Sequence, residues 1–82
     1  MAMGNAATLE HTMPLSMVGA GGVVHVRSIR GRDDVRHFLT NLGFVENAEV
    51  SVVNELNGNV IVNVKGTRIA ISKAMANRVH TA

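Results

Sequence analysis

Apolar and polar positions along this chain change period twice. Between Val23 and Ile29 they alternate, with Val24 and Val26 on one side of a pleat and His25 and Arg27 on the other, the pattern of a strand with one wet face. From Val35 the spacing shifts to i, i+3, i+4, i+7: Val35, Phe38, Leu39 and Leu42 form the single apolar stripe of a short helix. Alternation returns at Val50 and Val52, runs cleanly through Val60, Val62 and Val64, and closes with Ile69 and Ile71. The predicted order is strand, helix, then a run of short strands.

The residues between these segments say how each ends. Asp33 is placed to cap the first turn of the helix, and Asp34 adds negative charge where the helix dipole favours it. Gly43 is placed to stop the helix in a left-handed conformation, which lets Phe44 fold back onto Leu39. Val53 interrupts the alternation and predicts a bulge, while Asn57, Gly58 and Asn59 supply hairpin chemistry and Gly66 marks the next reversal. Ser72 is a capping residue for barely one helical turn through Asn77, after which Arg78 to Thr81 reads as a last edge strand carrying Val79.

Upstream, Leu15, Met17 and Val18 follow Pro14 closely enough for one anchoring turn before the cluster Gly19, Gly21, Gly22. That cluster reads as a turn. It has no lysine after it, and the strand-like VVHVRSI follows where a phosphate loop requires a helix. Met1 to Thr12, small and polar without a period, read as a loose arm, leaving residues 13–82 as one domain. Five strands with one buried face and tight turns suit a small barrel, since closure removes exposed edges.

Composition narrows the functional classes. Eighty-two residues allow one core, and a chain this short buries only about 60–65% of the surface its unfolded form exposes. The absence of cysteine removes disulfides, thiolate metal sites and a cysteine nucleophile. No stretch reaches the roughly 20 apolar residues of a membrane span, and the N-terminus lacks signal-peptide features, so the expectation is a cytoplasmic protein without direct membrane insertion. Net charge is only +2, and with two Phe, no Tyr and no Trp the chain lacks the rings that stack nucleic-acid bases. Asp33, Asp34, Glu46, Glu49 and Glu55 all have structural or surface explanations, so an enzyme is not expected.

From Leu15 to Thr81 the chain resembles the FeoA family, the ferrous iron transport protein A group of small SH3-like barrels. Leu15, Val18 and Gly21 stand where that family has its opening L-x-x-L-x-x-G. Phe38-Leu39 followed by Asn41-Leu42-Gly43-Phe44 resembles its L-x-x-L-G-hydrophobic signature. Asn63 to Ile71 resembles its V-x-G-x-x-apolar-A-L stretch, and Ala76 and Val79 fit its closing A-x-x-I. Glu46 and Asn47 replace the family's usual Pro-Gly. Asparagine tolerates the left-handed backbone that glycine supplies, so the turn is expected to survive. The resemblance implies a cytoplasmic accessory of bacterial ferrous iron uptake, a binding module with no cofactor, whose partner is the membrane iron transporter that carries a GTPase domain. Similar domains end metal-dependent repressors, but no DNA-binding helices accompany this one.

Three surfaces compete for the binding role. Arg27, Arg30, Arg32 and Arg36, with His37 beside them, concentrate positive charge between the first strand and the helix; a solvated face explains them as well as an acidic partner does. Leu56 and Asn57 at the hairpin tip are a second contact surface or simply a capped end. His25 and His80 become neighbours if the first and last strands pair, which offers the alternative of a divalent-metal-responsive domain that changes its oligomeric state; His11 and His37 stand apart, and surface histidines are the simpler explanation. Short edges and Met13, Met17 and Met75 would also suit weak homo-oligomers. The expected architecture is a mainly β, SH3-like five-stranded barrel with one short helix inserted after the first strand. Its expected core includes Val24, Val26, Phe38, Leu39, Leu42, Val50, Val52, Val62, Val64, Ile69 and Ile71.

Overall fold

Two tight hairpins set the register of the sheet. In the computed structural model, which describes residues 12–82, Asn57 and Gly58 take φ values of 53° and 81°, and Lys65 and Gly66 take 52° and 77°. Positive φ at both central positions is what a two-residue type I′ turn requires, and its twist matches that of the strands it joins. The turns join β3 (Glu49–Leu56), β4 (Asn59–Val64) and β5 (Thr67–Ser72). Their register puts Val50 opposite Val64, Val52 opposite Val62, Val62 opposite Ile69 and Val60 opposite Ile71, so one face is aliphatic throughout. Val53 is the extra residue of a bulge between Val52 and Asn54, as the broken alternation indicated.

Pairing continues to β2 (Val23–Ile29), β6 (Val79–Thr81) and a two-residue β1 (Met13–Pro14) in the order β1-β6-β2-β3-β4-β5, antiparallel at every step. This corrects the expected five-stranded barrel: the sheet has six strands and does not close, and β1 and β5 are its edges. The additional strand arises because Met13 and Pro14 align with Thr81 and His80, and the Thr81 hydroxyl donates to the Met13 carbonyl at 2.9 Å. For the same reason β6 lies inside the sheet and is not the edge strand expected. Leu15–Met17 forms one 3₁₀ turn that buries Leu15. Apart from Thr12, the expected N-terminal arm lies outside the described residues, as does His11.

Helix α1 (Asp33–Leu42) stops as its sequence indicated. Gly43 has φ 114°, the Phe44 N–H donates to the Leu39 carbonyl at 3.1 Å, and the Gly43 N–H donates to Thr40 at 2.9 Å, the paired bonds of a Schellman motif. Its start differs from expectation. Arg32 occupies the N-cap position without a side-chain bond, and Asp33 is already helical, so Asp33 contributes charge at the positive end of the dipole and not a cap. Ser72 does cap the four-residue α2 (Lys73–Ala76), accepting from the Met75 N–H at 3.2 Å.

The core comprises Leu15, Val26, Leu39, Phe44, Val50, Val52, Val60, Val62, Val64, Ile71, Ala76 and Val79, all buried, with Val24, Leu42 and Ile69 packed against it at its margin. Phe38, expected inside, is 49% exposed. It sits on the flank of the stripe centred on Val35, Leu39 and Leu42, and Phe44, completely buried, occupies the interior instead.

Candidate binding surfaces

Strand β2 bends, and the bend gathers the arginines. Its first half pairs with β3 over Val23 to His25; pairing with β6 starts where His25 bonds Ala82 and Val26 faces Thr81, and a register shift between Val26 and Ser28 then sets Ser28 opposite His80 and Ile29 opposite Val79. The Arg30 N–H continues this pairing by donating to the Arg78 carbonyl at 2.7 Å. Gly31, at φ 136°, then reverses the chain into α1. Arg27, Arg30, Arg32 and Arg36 are thereby brought together at one end of the fold, all exposed. Arg32 lies 3.9 Å from Asp34 and Arg36 3.9 Å from Asp33, exposed pairs that contribute little. Arg27 reaches the Asn47 side-chain oxygen at 3.4 Å. Asn47 itself stands at φ 71°, the left-handed position foreseen for it.

A shallow cleft of about 360 Å³ runs between the outer half of β2 and α1, lined by Arg27, Ser28, Arg36, Thr40, Phe44 and Glu46 among others. Arg36 borders it; His37, though exposed on the same helix, does not. Arg78 belongs to this end of the molecule as well. Sequence reasoning missed it because it joins the cluster only through the β2–β6 pairing, 48 residues after Arg30.

At the second surface Leu56 is 55% exposed beside Asn57. The tip is held by the Lys73 N–H, which donates to the Gly58 carbonyl at 3.1 Å, and by a 2.8 Å contact between Lys73 Nζ and Glu55 Oε2. Since Lys73 holds the tip and Arg78 pairs with Arg30, the two candidate surfaces are linked by the run 73–78, which extends at most ~17 Å.

His25 and His80 are on paired strands but not opposite one another. His25 exchanges backbone bonds with Ala82 (2.9 and 3.0 Å) and His80 stands opposite Ser28, so the two imidazoles share the outer face one diagonal step apart. Nδ1 of the half-buried His80 is shielded from solvent without a hydrogen-bond partner. Among the described residues no group of three or more His, Asp or Glu is placed to hold a metal ion, and no helix is long and apolar enough to cross a membrane.

The FeoA domain model matches residues 13–81. The chain belongs to the FeoA family. A solved FeoA, described as an iron uptake regulatory protein, is 34% identical over 87% of this chain and 95% of its own, with a TM-score of 0.81. The FeoA of Stenotrophomonas maltophilia, solved with zinc and described as a procaryotic SH3 domain protein, is 29% identical over 85% of this chain and 89% of its own, with a TM-score of 0.76. A manganese-dependent transcriptional repressor shares the fold at a TM-score of 0.81 but only 13% identity, and this chain spans 41% of its length. Among curated proteins none matches the chain. FeoA membership ties the protein to ferrous iron transport and identifies its open sheet as SH3-like.

Proposed function

We propose that this FeoA-family protein is a cytoplasmic, non-catalytic module that docks on the membrane ferrous iron transporter through the latter's cytoplasmic GTPase domain and supports its assembly or its GTPase-coupled activity. The observation that carries the reading is the exposed arginine end built by the β2 bend, within reach of the Leu56–Asn57 tip, on a fold whose family belongs to iron uptake. Rim charges of this kind set the rate and orientation of encounter with an acidic surface, and an exposed leucine close by adds a desolvated contact. Arg30, Arg32, Arg36, His37, Leu56 and Asn57 are the contact residues of this model.

A second reading is that a divalent ion binds at His25 and His80 and shifts the oligomeric state. It draws on the unpartnered Nδ1 of His80 and on the zinc-bound relative. One experiment separates the two: NMR of isotope-labelled protein titrated with the cognate GTPase domain, and separately with anaerobic ferrous iron. Docking predicts shifts confined to Arg30–His37 and Leu56–Asn59 with the protein partner, and none with iron. Saturable broadening at His25 and His80 with iron alone would favour the metal reading and sink the first.

A further inference from the structure

Arg30 and Arg78 are directly opposed. Their backbones are joined by the 2.7 Å bond between them, two positions beyond the pair Ser28 and His80, so by the period of the strands all four side chains leave the same outer face. Both arginines are exposed, and among the described residues neither has an ion pair. Like charges facing each other across a strand pair destabilise it, and no salt bridge among the described residues offsets this pair. Nη1 of Arg78 lies 3.7 Å from where a Cβ on Gly31 would stand, so the guanidinium lies over the turn that leads to Arg32 and α1. Five of the chain's eight Lys and Arg residues (Arg27, Arg30, Arg32, Arg36 and Arg78) are thereby collected at this end.

We propose that Arg30 and Arg78 form a clasp for a carboxylate carried on an acidic segment of the docking partner. This rests on the docking reading above and names the chemistry of its anchor. Each guanidinium presents five N–H donors and no acceptor, in a planar fork that matches a carboxylate, so an oxyanion between the two converts a repulsive pair into two charge-assisted contacts. The surroundings favour a carboxylate attached to protein over a free anion. Both arginines lie outside the cleft between β2 and α1, exposed at the surface, where a small anion gains few contacts, whereas an acidic segment continues onto Arg32, Arg36 and Arg27.

The test uses the full chain with Arg side-chain Nε–H signals observed by NMR at low ionic strength, and hexaglutamate, inorganic phosphate and the GTPase domain as separate titrants. Hexaglutamate should move the Arg30 and Arg78 signals together, and phosphate should move them far less. Arg30→Gln and Arg78→Gln should each weaken hexaglutamate binding by about tenfold, while unliganded Arg78→Gln melts at or above the temperature of the natural protein because the repulsion has gone. Unmoved arginine signals, an equal response to phosphate, or a lowered melting temperature with unchanged affinity overturns the clasp. If the GTPase domain binds and Arg36→Gln weakens it while Arg30→Gln and Arg78→Gln do not, the clasp fails and docking stands. If hexaglutamate engages the pair but the GTPase domain does not bind, docking fails and the clasp survives as an acidic-segment site.

Discussion

At the level of single residues, neighbours in sequence have unequal work. Leu39 is completely buried and Phe38 next to it is half exposed, so Leu39→Ala should cost about 3 kcal/mol, the transfer term plus the cavity left behind, and Phe38→Ala less than about 1 kcal/mol. Urea denaturation of both variants reads this directly; equal losses would mean that Phe38 packs inside. The sequence does not separate the two residues, because a helical stripe defines a face about 100° wide and the sheet covers only its centre. Positions governed by their own backbone were legible: Asn47 at φ 71° and Asn57 at φ 53° hold the left-handed conformations their residue type suggested. The charge partners of a residue across the sheet were not legible, and Arg78 is the example.

Elements were readable where both ends carry chemistry. Helix α1 ends at Gly43, where a Cβ would meet the Val64 methyls only at 3.5 and 3.7 Å, ordinary contact distances. Gly43→Ala should therefore cost about 1–2 kcal/mol through its φ of 114° and not through collision. Thermal unfolding measures it, and a loss below 0.5 kcal/mol would show that the Schellman stop relaxes without strain. The Val53 bulge was visible because it disturbs an alternation. The bulge in β2 was hidden, since Arg27 and Ser28 on its outer face are both polar and the pattern reads through them. Yet that hidden irregularity sets the β2–β6 register that brings Arg30 onto Arg78 and so assembles the arginine end.

For the molecule as a whole, an open sheet has consequences that a barrel would not. The type I′ turn at Lys65-Gly66 makes Thr67, Ile69 and Ile71 the β5 residues bonded to β4, and leaves the N–H groups of Arg68 and Ala70 pointing off the edge. Ala70→Pro should leave the fold intact, with a loss of less than about 1 kcal/mol, whereas Ile69→Pro removes a ladder bond and should cost about 3 kcal/mol or more. Chemical denaturation distinguishes them; equal damage at both positions would mean that the outer edge of β5 is engaged and the sheet closes. The mainly β class was legible from the run of short alternating strands, and its SH3-like character only from the resemblance to the FeoA family. Closure was not, because a strand of two residues has no period to read and forms only where Met13 meets Thr81.

That meeting has a further consequence. With Met13 aligned on Thr81 and held by the Thr81 hydroxyl, the polypeptide enters and leaves this fold side by side at a single spot on its rim. A unit built in that way behaves like a cartridge: flanking chain can be spliced on at either end, or the whole unit seated within a surface loop of a host, without threading through the core or stretching the sheet.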